Sequence, residues 1–357
     1  MAIPSVQFAD FSNPANVANA RKAMAWYAQF AMFAEDMYVK DSVDPKGDIR
    51  FDGEWQFVDW LRTTVAANIL GDIQHLLFGA NDTTYFGALL RNRADPNQYL
   101  VTIRGTESGP EWIQNFVATP DLLHNAKVAL ATALIRKSGT ARQHRSGGLV
   151  PDGFFGIYET LTLGGANVAA PPKAAPGLVA RISALQAAGG SKLSDATVTI
   201  VGHSLGAAVS AYLAYDLAQP ATVGKVNACL FASPHPGDAI FAQHFSATGV
   251  NCVCVVYDKD LVPKVPPLYV PLRETITILA PGAPNSGANQ ITSTTDIEDS
   301  PGGNHHAICY AAMLDPAVAR AIACYTLDTD CVGCIDTDSS RPAIHDGSVF
   351  PAPAWST

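Results

Sequence analysis

Charged residues make up only 15% of this 357-residue chain, while hydrophobic residues make up 48%. So little charge excludes global disorder, which needs polar, self-repelling sequence, and it leaves enough apolar material for a large core. Basic residues are the scarcer sign: 23 Lys and Arg face 32 Asp and Glu, a formal net charge of −9. A chain of that sign is a poor partner for phosphate backbones, so no nucleic-acid partner is expected. No stretch approaches the roughly 20 continuous apolar residues that span a bilayer. The opening residues, Met1-Ala2-Ile3-Pro4-Ser5-Val6-Gln7, lack the basic and apolar regions of a secretory signal. On that reading the chain is cytoplasmic, exported without a cleaved signal, or a mature form. No internal repeat is visible.

Cysteine is sparse and odd in number, at seven. Cys229, Cys252 and Cys254 lie in apolar runs where Cys serves as a small hydrophobe, and Cys309 falls in an expected helix. Cys324, Cys331 and Cys334 offer three thiols but no fourth ligand, so no metal site is expected. Neutral thiols are the reading, with a local disulfide in the tail as the alternative.

What the chain does have is concentrated at 196–206. The β-branched run 196–201 leads directly into Gly202-His203-Ser204-Leu205-Gly206, and an alanine-rich helical stretch follows to about residue 218. G-x-S-x-G alone carries little information, but between a strand and a helix it describes a nucleophile elbow. The turn is so tight that a Cβ at Gly202 or Gly206 would strike the neighbouring strand or helix. Ser204 Oγ is then held at the tip, with the helix N-terminus behind it to favour negative charge.

Around this segment the pattern alternates. Helices are expected over 14–39, 55–70, 153–163, 177–188, 238–245 and 305–324, and strands over 225–232, 251–257 and 275–279. Strands over 83–91 and 98–104 flank a turn-rich segment and read as a hairpin. Residues 111–148 look mostly helical before turning polar and glycine-containing, and 282–303 reads as a surface loop. Alternation of this kind predicts an α/β fold with a mostly parallel central sheet flanked by helices, as one domain over 1–328 with a tail at 329–357.

A serine hydroxyl becomes a nucleophile when a histidine accepts its proton, and a carboxylate must fix that histidine's tautomer. Downstream of Ser204, Asp258 and Asp260 follow an expected strand, and His305 and His306 begin an expected helix. The order Ser, Asp, His is that of α/β-hydrolases. Composition and spacing leave both pairs open. One oxyanion donor is expected from the N–H of Leu205, beside the nucleophile, and such donors contribute about 3–4 kcal/mol each.

Several further blocks make the chain resemble a class 3 lipase, the family of the filamentous-fungal triacylglycerol lipases. Val101-Thr102-Ile103-Arg104-Gly105-Thr106 resembles its R-G-[ST] strand, and Gly153-Phe154-Phe155-Gly156-Ile157-Tyr158 its G-F-x-x-x-Y block. Phe231-Ala232-Ser233-Pro234-His235-Pro236-Gly237-Asp238 is similar to its F-G-x-P-R-x-G-[DN] element. Asp260-Leu261-Val262-Pro263-Lys264-Val265-Pro266-Pro267 matches its D-x-V-P-x-x-P-P block. The sequence departs at Asp152, where the family usually carries histidine, and at His235, where arginine is common.

The resemblance implies an α/β-hydrolase with a helical lid, and it selects among the open residues. Asp260 is preferred over Asp258 because it opens the D-x-V-P block. His305 is preferred over His306 because it stands five residues before Tyr310. Thr106 becomes the second oxyanion donor, Asn115 its orienting partner, and His203 a supporting residue. The implied activity is hydrolysis of carboxylic esters, most readily acylglycerols, without metal or cofactor. Phospholipase A1 and feruloyl-type esterases are alternatives within the same chemistry, and an inactive lipid-binding module is the alternative outside it. Glu111-Trp112-Ile113-Gln114-Asn115-Phe116 resembles the approach to the family's lid. In 111–148, Leu122, Leu123, Val128, Leu130, Leu134 and Ile135 alternate with Lys127, Arg136, Lys137, Arg142 and Arg145. Such a segment suits a lid that opens at a membrane or lipid-droplet surface.

Overall fold

The β-branched run before the elbow forms the middle of a large sheet. In a computed structural model, the described residues are 14–35, 54–63, 84–105, 141–165, 169–219, 222–284 and 303–323, with 287, 289–293, 295–297 and 299. Strands β1 (Trp55–Thr63), β2 (Thr84–Asn92) and β3 (Gln98–Ile103) come first, and β4 (Arg142–Gln143) and β5 (Leu149–Val150) form a small separate ribbon. After these come β6 (Leu161–Leu163), β7 (Thr197–His203), β8 (Lys225–Phe231), β9 (Asn251–Tyr257), β10 (Thr275–Leu279) and β11 (Gln290–Thr292). They build a nine-stranded sheet in the order β11-β10-β9-β8-β7-β3-β2-β1-β6. From β3 to β11 neighbouring strands pair parallel, while β2, β1 and β6 extend the sheet antiparallel.

Both faces of this sheet are covered, and six of the seven residues of β7 and five of the seven of β8 are buried. One face carries α1 (Pro14–Glu35), α6 (Ala307–Leu314) and α7 (Pro316–Ala323), with Trp26, Phe30, Val255 and Tyr310 in its core. The other carries α2 (Asp152–Thr160), α3 (Ala174–Ala188), α4 (Leu205–Leu217) and α5 (Ala239–Ser246), around Leu178, Ile200, Tyr212 and Phe241. Every residue of α1 from Ala23 to Glu35 is buried, as an apolar helix wedged between sheet and helices must be. This is the α/β-hydrolase architecture the sequence implies.

Four expectations need correction. The helix expected over 55–70 is, in its described part, strand β1. Trp, Phe, Val and Thr favour a pleated surface, and irregularities at Phe57/Asp59 and Leu61/Arg62 break the two-residue alternation that would have revealed it. The helix expected over 153–163 stops at Thr160, and Leu161–Leu163 turns extended to pair with β1. The loop expected over 282–303 contains the edge strand β11. The single helix expected over 305–324 is broken at Asp315, which is extended (φ −152°, ψ 104°) ahead of Pro316. A residue before proline is driven from helical angles, and the Asp315 carboxylate instead accepts N–H bonds from Ala317 and Val318.

The cysteines divide as well. Cys229, Cys252 and Cys254 are free and buried as expected, but Cys309 is disulfide-bonded, not a neutral thiol. Cys324, Cys331, Cys334 and the tail from 329 lie outside the described residues.

Gly206 packs so closely that a Cβ there would strike the Arg104 carbonyl at the end of β3. No flexible side chain can yield at that point. Gly206→Ala should therefore lower stability by about 1–3 kcal/mol in urea melts. Gly165→Ala, whose Cβ would meet only Trp60 at 3.8 Å, should leave the midpoint nearly unchanged. Equal midpoints for the two variants would contradict this packing.

Candidate active site

The site begins with strain. Ser204 has φ 56° and ψ −131° at the junction of β7 and α4, a conformation an L-residue adopts only when its surroundings enforce it. Enforcement comes from both sides: Ser204 N–H donates to Phe231 O at 3.0 Å, and its carbonyl accepts from Ala207 N–H at 2.9 Å. A Cβ at Gly202 would run into Ser210 and Gly206 of α4, so both glycines of the motif are required by close approach. Ala232, at the end of neighbouring β8, also has positive φ, at 50°. Backbone strain thus collects at the carboxyl ends of the central parallel strands, where α/β folds place their sites.

Three side chains from distant parts of the chain meet there. Ser204 Oγ lies 2.9 Å from His305 Nε2, and His305 Nδ1 lies 2.9 Å from Asp260 Oδ2. All three residues are at most 4% exposed. Asp260 follows β9, and His305 precedes α6, so each projects from a loop at the same sheet edge as the elbow.

Asp260 receives two further donors. Val262 N–H reaches its Oδ1 at 2.9 Å, and Tyr310 Oη reaches its Oδ2 at 2.7 Å. Tyr310 Oη itself accepts the Tyr257 N–H at 2.9 Å, which leaves its hydroxyl hydrogen for Asp260. Burial, and then the adjacent Asp260 carboxylate, push the Tyr310 phenol well above its ordinary value, so it remains a donor. With Asp260 acting as acceptor, the His305 hydrogen sits on Nδ1. Nε2 then presents its lone pair to Ser204, the tautomer needed to accept the serine proton.

A second histidine lies behind the first. His203 Nε2 donates to the main-chain carbonyl of His305 at 2.7 Å, and the two rings lie tilted by 42° with centroids 4.7 Å apart. Its Nδ1 makes an ion pair with Glu35 of α1. Burial works against charge on the His203 ring. The Glu35 carboxylate, its hydrogen bond, the His305 carbonyl and Asp260 outweigh burial and hold the pKa above the ordinary histidine value.

Of the residues singled out from sequence, the structure brings together Ser204, Asp260, His305 and His203, with Leu205 as the first residue of α4. Asp258 stands apart: its N–H donates to Ile278 O, and its carbonyl accepts from Lys264. His306 is the N-cap residue of α6, its carbonyl accepting from Cys309 and Tyr310 N–H. Thr106, Asn115 and residues 106–140 lie outside the described residues. The chain enters that segment from β3, whose Ile103 is in register with Gly202 of the elbow.

The basic face expected over 111–148 also needs revision. Arg142 pairs with Asp152 and Glu159 of α2, and Arg145 with Asp216 of α4 at 2.6 Å. These two arginines pin the β4–β5 ribbon to the body and do not line a mobile segment. Sequence reading did not single out Glu35, which follows the apolar run Met32-Phe33-Ala34 and precedes Asp36. Tyr310 entered only as a spacing marker.

Residues 100–270 match the family described as Lipase (class 3). The chain is 28% identical over 184 residues to phospholipase A(1) DAD1, chloroplastic, of Arabidopsis thaliana, covering 51% of this chain and 37% of that protein. It is 27% identical over 187 residues to phospholipase A1 EG1, chloroplastic/mitochondrial, of Oryza sativa subsp. indica, covering 51% and 39%. The match thus spans less than two fifths of these relatives' length. Among solved structures, the lipase of Rhizopus microsporus var. chinensis is similar at 20% identity and a TM-score of 0.46, covering 75% of this chain and 76% of that one. Over residues 100–270, just under half of its length, the chain resembles the class 3 lipase family.

The Tyr310 hydroxyl serves two buried partners at once, and removing it leaves both short of a hydrogen bond. Tyr310→Phe should therefore cost about 1–3 kcal/mol of stability in denaturant titrations. A loss below about 0.3 kcal/mol would mean that the Tyr257 and Asp260 contacts carry no weight.

Proposed function

We propose that this protein is a serine carboxylic ester hydrolase that works through an acyl-enzyme. The observation that carries the reading is the chain of 2.9 Å contacts from Ser204 through His305 to Asp260, built on a strained elbow. Ser204 Oγ attacks the ester carbonyl carbon while His305 Nε2 takes its proton. Asp260 holds the resulting imidazolium in place. Negative charge builds on the former carbonyl oxygen, and the N–H of Leu205 at the start of α4 faces it, with Thr106 as the second donor. Collapse of the tetrahedral intermediate expels the alcohol, protonated by His305. Water, activated by the same histidine, then attacks the acyl carbon and releases the acid and free Ser204.

Acylglycerols are the proposed substrates, in keeping with the lipase family match. The two plant relatives are named phospholipases A1, which favours a second reading in which the ester is that of a phospholipid. Both readings share the mechanism and both need access to lipid. The remainder of 111–148 is proposed as the lid, with Leu122, Leu123, Val128, Leu130, Leu134 and Ile135 as the apolar side turned to lipid and Lys127, Arg136 and Lys137 as its basic flank. Arg142 and Arg145, held by acids of the body, fall outside it.

Hydrolysis of p-nitrophenyl esters, emulsified triglyceride, phosphatidylcholine and a ferulate ester tests this directly. Ser204→Ala should abolish every activity, by a factor on the order of 10⁴ or more, with an unchanged circular dichroism spectrum. Asp260→Asn should approach that loss, whereas Asp258→Asn should stay within about tenfold of the parent. Retained activity in Ser204→Ala, or equal losses from the two aspartates, would overturn the assignment. Triglyceride turnover should rise abruptly at the substrate's solubility limit. A smooth rise would make 111–148 a fixed wall and favour a non-interfacial esterase.

A further inference from the structure

Glu35 and His203 form a second carboxylate–histidine pair directly behind the first. Both are buried, at 7% and 4% exposure. His203 is shared between two acceptors: Nε2 faces the His305 carbonyl at 2.7 Å, and Nδ1 faces the Glu35 carboxylate. A carbonyl oxygen can only accept, so Nε2 must carry hydrogen. A second proton then lies between Nδ1 and Glu35, and the pair as a whole is neutral. The groups facing His203 are Glu35 from α1, Asp260 from the loop after β9, His305 from the loop before α6, and Tyr310 of α6 with ring centroids 6.5 Å away. Tyr310 is held as a neutral phenol. Two carboxylates therefore surround two imidazoles.

We propose that Glu35 is a positioning residue that keeps His203 as an imidazolium, so that α1 holds the His305 main chain in place and puts a fixed positive charge against the catalytic base. The inference rests on the hydrolase reading for its purpose but not for its test. Its consequence is electrostatic. A cation beside His305, with ring centroids 4.7 Å apart, disfavours a second positive charge there. Asp260 pulls in the opposite direction from the other side. The two neighbours thus act on the His305 ring with opposite sign. The raised pKa of His203 agrees with the charged form.

Substituting Glu35→Gln removes the carboxylate but keeps the shape and a hydrogen-bonding partner. His203, buried and without its counter-charge, then becomes neutral. It still donates Nε2–H to the His305 carbonyl. His305 loses its neighbouring cation and should protonate about one pH unit higher. A helix-packing role for Glu35 would not move that titration.

The chain has nine histidines, few enough for selective ¹⁵N labelling of the whole protein. His203→Gln and His305→Gln variants assign the two signals. In the unaltered protein, His203 should keep both ring nitrogens protonated to a pH above the ordinary histidine midpoint. In Glu35→Gln it should be neutral at that pH, with the His305 midpoint raised by about one unit and the acid limb of kcat/KM raised with it. A neutral His203 in the unaltered protein would overturn the proposal even if the variant failed to fold. So would an unchanged His305 midpoint in a folded variant. Glu35→Asp, which keeps the charge, should restore the low midpoint. Because the decisive readout is the ring titration, a protein that hydrolyses no ester would refute the proposed function while leaving this inference standing or falling on its own signal.

Discussion

The strand-to-helix turn at Ser204 is the constraint on which the remainder of the site depends. A positive φ at a serine persists only if neighbouring backbone fixes it, and here β8 and α4 both do so by hydrogen bonds. That requirement reaches outward. Gly206 must lie against the end of β3, and Gly202 against α4, so the spacing of three central elements is set by the absence of two Cβ atoms. The sheet must be parallel and centrally buried for such a turn to sit at its carboxyl edge, and both faces are accordingly covered by helices.

Around the elbow, the triad residues are linked into hydrogen-bonded chains. Asp260 accepts from His305, Tyr310 and the Val262 main chain, and Tyr310 is in turn oriented by Tyr257. His203 joins the His305 main chain to Glu35. Each link fixes the tautomer or rotamer of the next, which is how a hydrogen-bond network can specify one geometry in a region of low dielectric. The supports come from both sides of the triad, α6 on one and α1 on the other. Preorganisation of this kind lets an ester hydrolase avoid reorganising its dipoles when charge develops on the substrate oxygen.

Much of this was legible in the sequence. The strand–G-x-S-x-G–helix context pointed to Ser204 at the turn, because its glycines and β-branched run each have a steric reason. The strands at 251–257 and 275–279 were read at their observed bounds, as short apolar runs bounded by turns. Family blocks were needed to choose Asp260 over Asp258 and His305 over His306, since both pairs lie in identical local surroundings. Strand β1 was missed because irregular pairing destroyed its alternation, and β6 and β11 because three-residue edge strands owe their form to a neighbour. Asp315 was passed over although Pro316 marked the break. Glu35 could not be assigned because its partner is 168 positions away in sequence and adjacent only after α1 packs on β7.

The account stands on Ser204 being an activated nucleophile. Treating the full-length protein with a fluorophosphonate probe, followed by peptide mass spectrometry, measures that property without any assumption about substrate. A single stoichiometric adduct on Ser204 is expected, absent after heat denaturation because activation depends on His305 and the folded elbow. An unlabelled folded protein, or labelling that ignores denaturation, would contradict the account and leave a lipid-binding module as the better description.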